Sequence, residues 1–236
     1  VDVFGTEGPV GTGPASRRFA WAENDGTGAF TTFTTLDAGT NSFVQGAETV
    51  RFTPGGPLEI WISWNERTNG IQRFVVPDDP ATTPWTLESV VDTSQGEEID
   101  FGDVDGDGDL DLFLGHYWVE NDPGGAGWTP HQLHEPTLCC FAGVVTTTPV
   151  PDRVVPADVD GDGDLDVVVT QEYDPANRVA WYENPGADPR QLWTEHVIAQ
   201  ASTQLHSLDV HDIDGDGDVD VVAGEDRSVE QGIEQG

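Results

Sequence analysis

The 236-residue sequence has no lysine, no methionine and only two cysteines, and all nine of its basic residues are arginine. Against 44 Asp and Glu, these leave a formal net charge of −35. So little positive charge excludes a basic patch. Phosphate backbones and anionic headgroups are repelled, nucleic acid is not an expected partner, and cations are favoured instead. The two cysteines, adjacent at Cys139 and Cys140, build no disulfide framework. No run nears the roughly 18 consecutive apolar residues of a membrane-crossing helix, and no segment has a helical period. Also lacking is a positively charged, apolar leader. The chain opens on Val1-Asp2-Val3-Phe4, as expected of a processed chain or a piece of a longer one. Hydrophobic residues make up 36% of the chain, with eight Trp and ten Phe, enough for a packed core rather than disorder.

What is present is repetition. Asp103-Val-Asp-Gly-Asp-Gly-Asp-Leu-Asp111 recurs at residues 158–166 and, with two conservative changes, at 212–220, the starts lying 55 and 54 residues apart. A short apolar run follows each: Leu112 to Leu114, Val167 to Val169, and Val221 to Ala223. A second block recurs as Trp21-Ala-Glu-Asn24, Trp118-Val-Glu-Asn121 and Trp181-Tyr-Glu-Asn184. A third recurs as Trp128-Thr-Pro-His131 and Trp193-Thr-Glu-His196, with Trp85-Thr-Leu-Glu88 as a variant. Counting back from Trp85 places Phe74 where the second-block Trp belongs and exposes a copy whose Asp loop has become Thr53-Pro-Gly-Gly-Pro57. Units of about 54 residues follow: 1–50 (partial), 51–100 (no Asp loop), 101–155, 156–209 and 210–236 (partial). About four short strands per unit, parted by Gly, Pro, Asn and Asp turns, predict an all-β fold. The expected fold is a single β-propeller-type domain of four-stranded blades, four to five units in this chain, alone or as part of a larger ring.

Five Asp in nine residues repel one another unless a cation intervenes. An oxygen-only ligand set selects a hard divalent ion, and Ca²⁺ accepts irregular geometry more readily than Mg²⁺. Side chains at positions 1, 3, 5 and 9 can curl toward one centre, with the position-7 carbonyl and the glycines completing the turn. An EF-hand needs an acid at position 12, where this chain has Leu114, Val169 and Ala223, so the loops are expected to close β-hairpins.

On these nonapeptides and their spacing, the chain resembles the FG-GAP/VCBS repeat family, the calcium-binding blades of integrin α-subunit propellers and of many secreted bacterial proteins. The resemblance implies about three structural Ca²⁺ ions. They would be held by Asp103, Asp105, Asp107, Asp109 and Asp111, by Asp158, Asp160, Asp162, Asp164 and Asp166, and by Asp212, Asp214, Asp216, Asp218 and Asp220. Unit 51–100 departs from the pattern and is expected to bind none. The family's usual ring has seven blades. A chain of four to five units is therefore a fragment of a larger ring, a small ring closed by its end units, or a subunit completed by another chain.

The recurring Trp residues point to packing between units, and the Glu-Asn after them to a turn cap. His131 and His196 share one repeat position, with His134 nearby. His206 and His211 have no counterparts in other copies and are the candidates for an acid–base or metal role. Cys139 and Cys140 fall in an expected insertion, where a disulfide, a free pair or an intermolecular bridge are all open. No catalytic motif is present. The leading expectation is a secreted or cell-surface, calcium-stabilised propeller serving as a binding, adhesion or assembly module for a protein or carbohydrate ligand. The alternatives are a propeller domain of a secreted sugar-active lyase or dehydratase, a carbohydrate-binding lectin, or a filament subunit that self-associates through its incomplete end units. Fifteen of the 44 acids lie in the three loops, so the rest of the negative charge reads as a solubilising surface.

Overall fold

A computed structural model describes residues 2–7, 18–37, 39, 44–65, 67–92, 94, 98–124, 127–134, 139–141, 144–146, 150–172 and 177–226. The chain divides into two compact units, Val1–Ser94 and Gln95–Gly236. The described residues form antiparallel strands and one 3-10 turn, Arg67–Asn69, and none of their helices is long and apolar enough to cross a membrane.

The first unit holds two sheets. Sheet 1 is β1 (Val3–Glu7), β2 (Arg18–Asn24) and β3 (Phe30–Phe33). Sheet 2 is β4 (Val44–Val50), β5 (Glu59–Trp64), β6 (Ile71–Val75) and β7 (Leu87–Val91), hydrogen-bonded in chain order. In the second unit, sheet 3 is β8 (Asp100–Gly102), β9 (Asp111–Leu114), β10 (Tyr117–Asn121) and β11 (Trp128–Gln132). A two-stranded hairpin follows, β12 (Cys139–Phe141) and β13 (Val144–Thr146); the side chains of Cys139 and Cys140 lie outside the described residues. Sheet 4 is β14 (Val150–Ala157), β15 (Asp166–Glu172), β16 (Arg178–Glu183) and β17 (Thr194–Gln200), and sheet 5 pairs β18 (Gln204–His211) with β19 (Asp220–Asp226). The all-β reading and the four-stranded repeat stand. Each full sheet takes in the strand ahead of its loop, so the Asp loops at 103–111 and 158–166 join first strand to second.

The second strand explains the apolar runs. β5 and β9 are buried along their whole length, so both alternating sets of their side chains are apolar or hydrogen-bonded rather than polar on one face. Period-two alternation then divides β15 between two cores. Val167 and Val169 join Phe113, Trp118, Val154, Tyr182 and Trp193 between sheets 3 and 4, while Val168 joins Val179, Leu205 and Val210 between sheets 4 and 5. Sheets 1 and 2 pack likewise through Phe19, Trp21, Ile60, Ile62, Trp64, Phe74 and Trp85.

The third-block tryptophans fasten this stacking. Trp193 Nε1 donates to Pro189 O (2.8 Å) and Trp85 Nε1 to Pro80 O (3.0 Å), each reaching the turn before its own strand. The segment after the preceding sheet's last strand tucks against the same tryptophan, through Trp193 N to Leu133 O (2.6 Å) and Trp85 N to Thr35 O (3.1 Å).

Register corrects one sequence-based assignment. Trp118 pairs with Phe113 and His131, and Trp181 with Val168 and His196. The residue so placed in sheet 2 is Arg73, between Trp61 and Glu88, not Phe74. The spacing from this position to the third-block Trp varies among copies, so counting slipped by one, and a one-residue slip moves a side chain to the opposite face. Phe74 is the buried counterpart of Val119 and Tyr182.

Trp118 is fully buried, so Trp118→Ala is expected to cost about 3–5 kcal/mol, whereas Ile213→Ala at an exposed position should stay within about 0.5 kcal/mol. Urea denaturation of both variants checks this, and equal midpoints would contradict the packing described.

Candidate metal centres

Each Asp nonapeptide closes a hairpin by the same local hydrogen bonds. Carboxylates at positions 3 and 5 accept from the backbone two residues on, as Asx turns do. Asp107 N–H donates to Asp105 Oδ1 (3.3 Å) and Asp109 N–H to Asp107 Oδ1 (2.9 Å), and loops 2 and 3 repeat both bonds. The position-1 carboxylate accepts across the turn, from Gly108 N to Asp103 (3.1 Å), Gly163 N to Asp158 (3.2 Å) and Gly217 N to Asp212 (3.0 Å). The turn needs φ of 72° and 92° at Gly106 and Gly108, and the matching glycines of the other loops are also positive. Only glycine adopts such angles without strain.

Position 9 roots the loop in the sheet. Asp111 Oδ2 accepts from Val104 N (2.9 Å) and Oδ1 from Asn121 N (2.8 Å); Asp166 does the same with Val159 N (2.9 Å) and Asn184 N (2.8 Å). In loop 3, Ile213 N donates to Asp220 Oδ2 (3.0 Å). The Asn of the Trp-x-Glu-Asn block therefore serves the loop through its backbone. Its side chain caps the next turn, with Gly186 N donating to Asn184 Oδ1 (3.0 Å). Asp2 keeps the same bond in sheet 1, accepting from Asn24 N (2.9 Å).

Positions 1, 3 and 9 converge in all three loops. Ligand oxygens of Asp103, Asp105 and Asp111 lie within 4.8 Å of one another, as do those of Asp158, Asp160 and Asp166, and of Asp212, Asp214 and Asp220. Asp107, Asp162 and Asp216 at position 5, and Asp109, Asp164 and Asp218 at position 7, lie outside these groups. The donor set is all oxygen, and Asp103 Oδ1 is buried with no hydrogen-bond partner. A hard divalent cation fits both facts.

Asp111 and Asp166 are both 1% exposed. Burial pushes the Asp111 carboxyl up to about 7, against the pull of the Asn121 and Val104 N–H groups and with a further push from Asp105 and Asp107. Burial raises Asp166 to about 6, with the same opposing contributions from Asn184 and Val159.

The copy at 51–58 solves the same problem without a converging cluster. Glu59 opposes Val50 as Asp111 opposes Gly102, but its Oε2 accepts from Trp61 Nε1 (2.9 Å) and pairs with Arg73 Nη1 (3.0 Å). Arg51 meanwhile donates to Gly56 O across the shortened turn.

The histidines sort by neighbourhood. His131 stacks on Trp118 with ring centroids 4.6 Å apart and reaches Glu120 (2.8 Å); His196 stacks on Trp181 (4.4 Å) and reaches Glu183 (2.7 Å). Both are cross-strand repeat contacts. His206 Nδ1 lies 3.1 Å from the buried Asp152 Oδ2, whereas His211 is exposed at the root of loop 3 opposite Asp220. They share no site, and neither joins a group of converging ligand atoms among the described residues. Repetition concealed a buried polar cluster: Gln171 Nε2 donates to Tyr182 Oη (2.7 Å) and contacts His116 (3.3 Å) and Glu195 (3.2 Å), while Arg178 pairs with Glu195 (2.8 Å). These residues recur in no other copy, so no periodic signal marked them.

Residues 158–223 match the FG-GAP-like repeat. The chain carries an FG-GAP-like repeat. The match spans loops 2 and 3 of the FG-GAP-like segment, and loop 1, outside it, repeats the loop 2 nonapeptide residue for residue. No curated protein matches the chain.

Without divalent ions, the raised carboxyls set a pH dependence. A folded-state pKa above the unfolded value, about 3.9 for Asp, gives stability that is present at low pH and is lost as pH rises through about 6 for Asp166 and about 7 for Asp111. Chelated protein should therefore melt at falling temperature between about pH 5 and pH 8, with a shallower fall in Asp111→Asn. Melting curves that rise with pH over this window would contradict the assignment.

Proposed function

We propose that the protein is a calcium-stabilised β-propeller module whose four-stranded sheets are the blades and whose Asp loops each hold one structural Ca²⁺. The observation that carries the reading is the convergence of positions 1, 3 and 9 in all three loops, beside the unpartnered Asp103 oxygen. Asp103, Asp105 and Asp111, with their equivalents in the other loops, would hold the ions. A bound Ca²⁺ supplies the positive charge that the ionised carboxylates lack. The protein's part is to prearrange the oxygens: a bond across the turn aims position 1, an Asx turn aims position 3, and the Asn121 and Asn184 N–H groups hold position 9 at the hairpin root.

An ion so held is structural, because its carboxylates all come from one hairpin loop and its binding neutralises and braces that loop. The consequence is a stiff repeat module presenting loops and strand edges, suited to binding, adhesion or assembly. Secretion agrees with the millimolar calcium that sites of this class need and with the setting in which FG-GAP-like repeats are typically found. The negative surface left after the loops are filled would keep such a module soluble and favour a ligand with cationic groups.

Saturating Ca²⁺ at about a hundred times its dissociation constant adds about 2.7 kcal/mol per site. With three such sites, melting temperature should rise on the order of 20 °C from chelator to saturating Ca²⁺ at neutral pH. Mg²⁺ should give a smaller rise, and the Asp103→Asn/Asp158→Asn/Asp212→Asn variant should lose most of it. An unchanged melting temperature would falsify the calcium reading.

A further inference from the structure

Loops 1 and 2 are identical over all nine residues, yet their surroundings differ. Arg190, in the turn between β16 and β17, extends from sheet 4 to loop 1 of sheet 3. Its Nη2 donates to Asp105 Oδ2 (2.8 Å), its Nε to Glu120 Oε2 (2.9 Å), and Nη2 also bonds Glu120 Oε1. The guanidinium carbon sits 6.0 Å from the Trp118 ring centroid. Asp105 and Glu120 side chains are each only 10% exposed, so solvent screens this contact less than it would an ordinary surface pair. Among the described residues, no arginine reaches Asp160, the matching ligand of loop 2.

The same turn makes two further contacts with sheet 3: Asn184 Nδ2 donates to Val104 O (3.2 Å) inside loop 1, and Pro189 O accepts from Trp118 Nε1 (3.2 Å). Pro189 O also accepts from Trp193 Nε1 (2.8 Å) within the turn itself. These bonds fix the backbone of the turn beside loop 1, and the Arg190 side chain, itself 42% exposed, is held there by its two carboxylate partners, whose spacing a planar fork spans better than a lysine ammonium.

We propose that Arg190 is a resident cation of loop 1 that competes with a divalent ion for Asp105, making loop 1 the weaker of two sites with identical sequence. The inference rests on the calcium reading above. Two effects act in one direction. A guanidinium on one oxygen of Asp105 leaves that carboxylate a poorer ligand, and a fixed positive charge a few ångströms from the centre opposes a second cation. Glu120 offsets part of the charge but frees none of Asp105. Loop 1 then fills after loop 2, and its filling loosens the ion pair joining sheets 3 and 4, so its occupancy is sensed at that contact.

The test is calorimetric titration of the full chain with Ca²⁺ alone in two backgrounds. Asp160→Asn with Asp214→Asn reports loop 1; Asp105→Asn with Asp214→Asn reports loop 2. The expected result is loop 1 about tenfold weaker than loop 2. Arg190→Gln in the first background should bring loop 1 to within about threefold of loop 2, while Arg190→Lys, which keeps the charge, should leave it within about threefold of the parent. The double change Arg190→Gln/Glu120→Gln leaves the local charge sum unaltered and should keep most of the gain, because Asp105 is freed. Equal affinities in the two parent backgrounds, or no tightening on Arg190→Gln in a variant whose melting stays cooperative, overturn the proposal while leaving the calcium reading intact. Absence of binding in both backgrounds overturns both.

Discussion

The structure depends on a carboxylate buried at the root of each of the first two Asp hairpins, a position that Asp220 keeps in exposed form in the third. Asp111 and Asp166 spend both oxygens on backbone N–H groups, one inside the loop and one at the far end of the next strand of the sheet. These bonds join the loop to the ladder and set the register at which each Trp-x-Glu-Asn block lies. The burial that makes the anchor rigid also disfavours its charge, and the aspartates at positions 3 and 5 add repulsion. An anchor of this kind calls for a cation nearby, and the rest of the loop brings two more carboxylates to the place where one would sit.

Sheet 2 shows the constraint met by other means. Its root carboxylate is Glu59, and the compensating charge is the guanidinium of Arg73, supported by the Trp61 indole. Once that pair exists the loop has no need to converge, and Thr53-Pro-Gly-Gly-Pro57 is enough to turn the chain. A single change of counter-charge thus accounts for two departures from the repeat, the lost Asp loop and the Arg73–Glu88 pair in place of Trp stacked on His. Loop 1 stands between these solutions, with converging carboxylates and an arginine on one of them.

The repeat blocks that look separate along the chain are one cross-strand device. Trp118, Glu120 and His131 meet on one face because position i and i+2 of a strand point the same way and His131 lies opposite the Trp. Trp181, Glu183 and His196 repeat it, and Trp21 with Phe33 gives a version without histidine. The buried second strands then supply apolar side chains to both faces, so consecutive sheets within a unit share cores without any helix.

Strand class, hairpin positions and the loop carboxylates were legible in the sequence because each is set by residues within about ten positions: alternation, turn glycines, and Asx bonds spanning two residues. The repeat showed which aspartates are equivalent, but not which three of the five bring their oxygens within 4.8 Å of one another. Other features arise only where distant segments meet. Arg73 rather than Phe74 opposes Glu88 because hydrogen-bond register, not residue counting, decides the partner. Arg190 reaches Asp105 from 85 residues away, and Gln171 meets His116 from 55. Two loops of identical sequence were therefore bound to look identical on the page. What separates them is which side chain of the neighbouring sheet arrives beside them, and only packing determines that.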